Sequence, residues 1–271
     1  MKIFKNKYNL KVTKNSILVI GNFDGLHKGH VSILNEAAGC QWIQGQALPI
    51  AKTMIPVEIE ENPLPYARYQ SRQAELRAKK QELLLFCQHP PTITGGIQWK
   101  ESNLLRDGST LEQAGIPLVP IKRGGDLTAH EPGQLVIYPH VDLKARGISL
   151  SDFFKALLRI STQVVREECE VELELRRDYP GLYSGAKKIA AIGVEARGFF
   201  TSSGMAINVN NDLSTFQNIV ACGLNQFEPG SLKQLTGADV SLEGLSRRWA
   251  RAFHDFLDSP APSVESPLTA S

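Results

Sequence analysis

Cys222 and Lys188 are the two residues of this chain best suited to covalent chemistry. Cys222 sits in Ala221-Cys222-Gly223, and Lys188 opens the run Lys188-Ile189-Ala190-Ala191-Ile192-Gly193. Upstream lies the stretch Arg123-Gly124-Gly125-Asp126-Leu127-Thr128-Ala129-His130-Glu131-Pro132-Gly133-Gln134. A free cysteine has a pKa of about 8.5, so its thiolate is a minority species at neutral pH. A neighbouring ammonium favours the anion. Once neutral, the same amine can take the proton of an incoming nucleophile. Such a pair suits acyl transfer through a thioester. A thioester donor is already activated, so neither ATP nor any other cofactor or metal is required. Gly124, Gly125 and Gly133 permit close backbone approach and unusual φ angles. Backbone N–H groups exposed there would hold the thioester oxygen as charge develops on it.

Each of these residues has a plainer alternative. A lone cysteine is commonly a small core residue, a lone glycine a turn, and His130 a structural imidazole. Cys40, Cys87 and Cys169 keep the plain reading, and His89, ahead of Pro90-Pro91, is assigned no chemistry. Lys187 adjoins Lys188, and neighbouring side chains on a strand point to opposite faces, so only one can meet a given thiol.

The chain has 271 residues, enough for one large domain with extras, and an apolar fraction of 42% that supports a sizeable core. Its 30 basic and 28 acidic residues leave a net charge of +2, which argues against nucleic-acid binding through bulk charge. Four dispersed cysteines without a Cys-x-x-Cys pair suit a reducing compartment and no structural zinc. The apolar run Ile17-Leu18-Val19-Ile20 is too short for a signal or a membrane span. The expectation is a soluble, cytoplasmic protein with no membrane partner.

The elements that must position the site are read from periodicity. Ile17 to Ile20 reads as a strand, and His30 to Ala37 as a short helix. A helix is expected from Tyr66 to about Glu82, rich in good helix formers. Leu83 to Phe86 reads as a buried strand, Leu135 to Tyr138 as another. Ser151 is the expected N-cap of a helix to about Glu168, with Phe154, Leu157, Leu158 and Val165 on its core face. Val171 to Leu175 alternates as a half-exposed strand would. Ile189 to Ala196 and Met205 to Val209 are further strands. A last helix spans 242 to 257, with Leu245, Trp249, Phe253 and Phe256 on one face. Residues 259–271, mostly Pro, Ser, Ala and Thr, are expected to be a disordered tail. This mix predicts an α+β domain over 57–258.

Several motifs in order carry a family likeness: His89-Pro90-Pro91-Thr92-Ile93-Thr94-Gly95, the Arg123 to Gln134 stretch, Lys188 to Gly193, Gly204-Met205-Ala206-Ile207-Asn208, and Ala221-Cys222-Gly223. With these, residues 57–258 resemble the lipoyl(octanoyl) transferases. The resemblance implies a mixed sheet with packed helices, shared with biotin and lipoate ligases. It implies transfer of an octanoyl group from octanoyl-acyl carrier protein to a lysine of lipoyl domains, those of 2-oxoacid dehydrogenases and the glycine cleavage H protein. Cys222 and Lys188 would be catalytic, and the motif register selects Lys188 over Lys187. The acyl site would be lined by Arg123, Gly124, Gly125, Asp126, Leu127, Thr128, Ala129 and His130. Ala191, Ile192, Gly193, Gly204, Met205 and Ala206 would join them, small and apolar enough for a narrow channel. Arg72, Arg77, Lys79, Lys80, Arg176 and Arg177 are candidates for steering an acidic carrier. Two positions depart from the family pattern: Ser203 stands where a histidine is usual, and Glu131 where a glycine is usual. A carboxylate beside Cys222 would oppose the effect of Lys188. Two other readings are an ATP-dependent lipoate ligase of the same fold, with Cys222 dispensable, and a weakened binding protein for lipoyl domains or acyl carrier.

At the N-terminus, Gly21-Asn22-Phe23-Asp24-Gly25-Leu26-His27-Lys28-Gly29-His30 follows an apolar strand. It resembles the nucleotide-binding start of a nucleotidyltransferase, most like the adenylyltransferase half of bacterial FAD synthetase. There His27 and His30 would face phosphates at a helix N-terminus. The further strands and crossover helices of such a domain do not follow. Residues 1–38 are therefore expected to be a catalytically silent fragment, joined by a linker over 39–56.

Overall fold

The computed structural model describes residues 54–176, 179–220 and 227–258, and the backbone of 17–20. The expected helix at His30 to Ala37, residues His27, Cys40, Arg177 and Cys222, and the expected tail all lie outside the described residues.

The strands are β1 (Ile17–Ile20), β2 (Val57–Ile59), β3 (Leu83–Cys87), β4 (Thr92–Gly95), β5 (Leu118–Pro120), β6 (Leu127–His130), β7 (Gln134–His140), β8 (Glu174–Leu175), β9 (Gly181–Ser184), β10 (Lys187–Arg197), β11 (Phe200–Asn208) and β12 (Glu228–Pro229). The helices are α1 (Tyr66–Lys79), α2 (Gly108–Gln113), α3 (Leu143–Arg146), α4 (Leu150–Cys169), α5 (Leu232–Thr236) and α6 (Leu242–Asp258). Among the described residues they form a mixed sheet in the order β2-β3-β7-β11-β10-β9-β8, with β1 and β12 also on β10. A second sheet, β5-β4-β6, lies beside it. The fold is α+β, with a mixed sheet and packed helices.

β3 shows how sequence becomes layer. All five of its residues are buried. Leu84 and Phe86 enter the core beneath α4 and α6, while Leu83, Leu85 and Cys87 pack with Tyr66, Tyr69 and Leu76 of α1. A strand buried on both faces reads as a continuous apolar run, as Leu83 to Cys87 does. Ile55, at the end of the expected linker, is buried in the same core as Leu84.

α4 and α6 present amphipathic faces to the sheet. Phe153 meets Phe253 edge-on at 6.1 Å, and Phe86 meets Trp249 edge-on at 5.8 Å. The indole N–H of Trp249 donates to Ser161 Oγ at 2.9 Å, so the one polar atom of that ring is satisfied in the core. Leu245, Trp249 and Phe253 are buried as expected, and Phe256 packs at the margin.

Four expectations about elements are corrected. Ser149, not Ser151, caps α4, its Oγ accepting from the Asp152 N–H at 3.0 Å. α1 stops at Lys79 because Lys80 turns left-handed (φ 49°) to cap it. Of Val171 to Leu175, only Glu174–Leu175 pairs, because its partner β9 is itself short. The Leu135–Tyr138 strand extends on both sides, to Gln134 and His140.

Candidate active site

The register of the central strands builds the floor of a cavity. Ala191 lies opposite Ala206 and Gly193 opposite Gly204, and Ala206 in turn lies opposite Val136. Small residues in adjacent cross-strand rows leave a trough between β10, β11 and β7. Tyr66 and Tyr138 form one wall, and the turn Arg123-Gly124-Gly125-Asp126 with Thr128 and His130 forms the cover. Lys188, Ile192, Ser203 and Met205 complete the lining. Burial pushes the Tyr66 phenol up to about 12, so it faces the cavity as a neutral hydroxyl.

Two of the glycines serve the protein's own atoms. A Cβ on Gly204 would fall 2.1 Å from the Ile137 carbonyl oxygen, a backbone atom with nowhere to go. One on Gly193 would fall 2.9 Å from Cδ of Arg123. Gly193 thus admits the arginine stem, and Gly204 lets β11 close on β7. Gly125 and Gly133 adopt positive φ (86° and 88°), as their loop positions require.

Lys188 reaches the trough because β10 is irregular. The β9–β10 register slips between Lys188 and Ala190. Ile189 and Ala190 both enter the helix-side core, whereas Lys188 and Ala191 both line the trough. Strict alternation would have placed Lys188 on the face of Ala190. A bulge re-aims a side chain in this way. Lys188 is 8% exposed, with its Nζ 5.5 Å from the Tyr183 ring centroid. It also lines a second, smaller cavity with Phe216, Phe227 and Pro229. Lys187 points elsewhere, its Nζ donating to Gln234 Oε1 at 3.4 Å.

The cover is fixed by hydrogen bonds. Arg123 Nη2 donates to the carbonyl and to Oγ1 of Thr94 (2.9 and 3.0 Å), and Nη1 to the Gly124 carbonyl at 2.9 Å. The Ile97 and Gln98 N–H groups donate to the carbonyls of Arg123 and Gly125. Asn103 Nδ2 donates to Asp126 Oδ2, and the Asn103 carbonyl accepts from Val220 N–H at 2.8 Å. The chain that leads to Cys222 is therefore pinned to the same asparagine as the cover. On the far side of that segment, Phe227 lines the cavity beside Lys188. His89 is buried: its Nδ1–H donates to the Leu64 carbonyl at 2.6 Å, and its Nε2 accepts from the Tyr138 hydroxyl at 2.8 Å. That role is structural.

Most of the expected lining residues meet at the trough. Leu127 and Ala129 do not. They alternate with Thr128 and His130 on β6 and turn into a separate core with Ile93, Leu111 and Phe216. Glu131 does not line either cavity. Its carboxylate accepts from Asn211 Nδ2 and from the Thr215 N–H, both at 2.8 Å, and staples the following loop. Ser203 does line the trough, with φ of 60° and its N–H donated to Tyr69 Oη at 3.3 Å. The proposed steering charges are largely engaged internally. Arg72 pairs with Glu58 and Glu60, Arg77 with Glu195, Lys80 with Asp142, and Arg176 with Glu174. They are not a bare basic patch. Tyr66, Val136, Tyr138 and Thr94 were not foreseen as site residues. Only the placement of Thr94 in the His89 to Gly95 motif signalled one of them.

Among the described residues no cluster of three or more His, Cys, Asp or Glu could hold a metal, and no helix is long and apolar enough to cross a membrane.

The sequence model of the lipoyl protein ligase A/B catalytic domain matches residues 63–254, and the chain belongs to that family. A bi-partite lipoate protein ligase from Thermoplasma acidophilum superposes with a TM-score of 0.57 at 17% identity, over 76% of this chain and 84% of that one, a likeness of fold alone. An octanoyltransferase of Leptospira interrogans serogroup Icterohaemorrhagiae is 46% identical over 182 residues, 66% of this chain and 84% of that protein. One from Leptospira borgpetersenii serovar Hardjo-bovis is 41% identical over 209 residues, 76% of this chain and 93% of that protein. Within the family the chain stands with the octanoyltransferases, and it is an acyltransferase.

Proposed function

We propose that the protein transfers an octanoyl group from octanoyl-acyl carrier protein to a lysine of lipoyl domains, in the cytoplasm, through a thioester on Cys222. The Cys222 thiolate attacks the donor carbonyl carbon. The bond from that carbon to the carrier sulfur breaks, and the carrier leaves as a thiol, its sulfur taking the proton of the Lys188 ammonium, which becomes the neutral amine. The acceptor lysine amine then attacks the enzyme thioester, the amide forms, and Cys222 leaves as thiolate. Lys188 as an ammonium favours the thiolate before the first step, and as an amine takes the proton in the second. The acyl chain occupies the trough over Ala191, Ala206 and Val136. Backbone N–H groups of the Gly124-Gly125 turn are the candidates for holding the carbonyl oxygen.

The observation that carries this reading is a buried lysine re-aimed by a bulge to the meeting point of two cavities. The described residues that flank Cys222 in sequence are both tied to that site: Val220 N–H donates to the Asn103 carbonyl, and Phe227 lines the second cavity. Octanoyltransferase relatives support the choice of acyl group. The test is intact-mass measurement after incubation with octanoyl-acyl carrier protein and no ATP. Wild type should gain one octanoyl group and pass it to a lipoyl domain, and Cys222→Ser should not form the thioester adduct. No adduct on wild type, or lipoyl-domain modification only with free acid and ATP, overturns the proposal in favour of a ligase.

A further inference from the structure

A chain of side-chain hydrogen bonds joins the cover of the trough to the strand that carries Lys188, and His130 is its middle link. Its directions can be fixed from its ends. Asn208 Nδ2 donates to the Gly230 carbonyl at 2.9 Å, so Asn208 Oδ1 is the atom facing Gln134. Gln134 Nε2 donates to that Oδ1 at 2.9 Å and to the Ala129 carbonyl at 3.1 Å. Gln134 Oε1 is then left facing His130 Nδ1 at 2.8 Å, and an amide oxygen can only accept. The proton must sit on Nδ1, and Nε2 carries the lone pair. Thr94 Oγ1 lies 3.4 Å from Nε2 and already accepts from Arg123, so its own O–H is the proton that points to Nε2. At the other end, Gly230 N–H donates to the Lys188 carbonyl at 3.0 Å. Backbone carbonyls cannot flip, so every amide and the imidazole tautomer follow from them.

The route crosses between the two sheets. Thr94 and His130 belong to β4 and β6, Gln134 and Asn208 to β7 and β11, and Gly230 follows β12. No backbone ladder among the described residues links the sheets there.

We propose that His130 is a positioning residue, a neutral Nδ1–H imidazole that holds Thr94, and through it Arg123 and the cover, in register with the Lys188 strand. The imidazole takes up no second proton during the reaction. Burial, the nearby His89 ring and the Arg123 guanidinium all resist a second proton, holding it down to about 3. The groups around it are Tyr66, stacked at 6.0 Å between centroids, His89 at 5.5 Å, Thr94, Gln134 and Arg123, none of them anionic. This inference rests on the transferase reading for its kinetic consequences, but not for the tautomer.

Two measurements on the full chain test it. Two-bond nitrogen–proton correlation spectra of 15N-labelled protein, assigned with His130→Gln, should show His130 as the Nδ1–H form with no titration from pH 5.5 to 8. An Nε2–H tautomer, or titration near pH 6.5, overturns the proposal. The second is kinetics with octanoyl-acyl carrier protein. Glutamine can place an acceptor near the Nε2 position, whereas asparagine can mimic only Nδ1–H. Loss of one ordinary hydrogen bond is worth about fivefold to tenfold. Thr94→Val and His130→Asn should therefore raise KM for the donor by about that factor, with kcat changed less, and His130→Gln should recover most of the loss. The pH profile of kcat/KM should keep its shape in all three. Equal loss in His130→Gln and His130→Asn, or disappearance of one limb of the profile, defeats the proposal. If wild type forms no octanoyl adduct, the transferase reading fails, while the spectra still decide the tautomer.

Discussion

On the α4 and α6 side of the central sheet, Trp249, Phe253, Phe153 and Phe86 meet ring to ring, and the one indole N–H is answered by Ser161. On the opposite side the same strands present Lys188, Gln134 and Asn208, and amides and a ring nitrogen join Gln134 and Asn208 to His130 of the second sheet. Apolar contacts are non-directional, so the first side needs only volume and pattern. Buried polar groups must each find a partner at the right angle, so the second side specifies atoms. Stability should therefore fall mainly to the helix side and catalytic geometry to the other.

The sharpest break of that division is Lys188→Ala. If Lys188 is the proton acceptor proposed above, its loss should lower the transfer rate by about 10²–10⁴, with the denaturation midpoint little changed. Rapid-quench kinetics and urea melts on one preparation would read both. Coincident loss of fold and rate would erase the distinction between the sides.

Trp249→Ala should do the reverse. Removing a fully buried ring costs about 3–5 kcal/mol of stability, while activity per folded molecule persists at low temperature. Activity lost in step with Lys188→Ala would show that the helix side also shapes the site.

The two trough glycines sharpen the comparison. Gly204→Ala drives a methyl into the Ile137 carbonyl. Such overpacking costs about 1–3 kcal/mol, together with activity. In Gly193→Ala the obstacle is the flexible Arg123 stem, so rate or KM should suffer more than the melting temperature. Identical effects of the two substitutions would contradict this difference.

The most graded effect is with pH. Burial depresses His89 and His140 to about 4, and His130 to about 3. The unfolded chain takes up these protons first, near pH 6.5. Stability is thus complete above about 6.5 and is lost as pH falls toward 4, by up to about 1.4 kcal/mol per pH unit for each imidazole. Urea midpoints at pH 7, 5.5 and 4.5 should fall accordingly, and His140→Phe should flatten the slope. A midpoint unchanged over that range would place the imidazoles in contact with water.

The apolar runs were legible because their burial follows from local pattern. The strand at Leu83 to Phe86, most of the α6 face and part of the α4 core read correctly, since periods of 2 and 3.6 need no knowledge of the partner. The site motifs were legible as strings, and most of the expected lining residues do converge on the trough, while Cys222 lies outside the described residues. The errors have particular causes. Leu127 and Ala129 were swept in with a contiguous motif, although a strand turns every second residue away. Glu131 was expected beside the pocket, because nothing local to it announces Asn211 or the Thr215 N–H. Tyr66 and Tyr138 read as ordinary helix and strand residues, and only the stacking of α1 on β7 makes them a wall.

By itself the chain determined the layers, the order of motifs, and the chemical types those motifs offer: the Cys222 thiol, the Lys188 amine and a run of glycines. Tertiary structure decided which way they face. Lys188 meets the trough because β10 slips by one residue against β9, and a register slip depends on both strands at once. The proton on His130 is fixed by carbonyls of Ala129 and Gly230, far apart in sequence and brought together only when the sheets close.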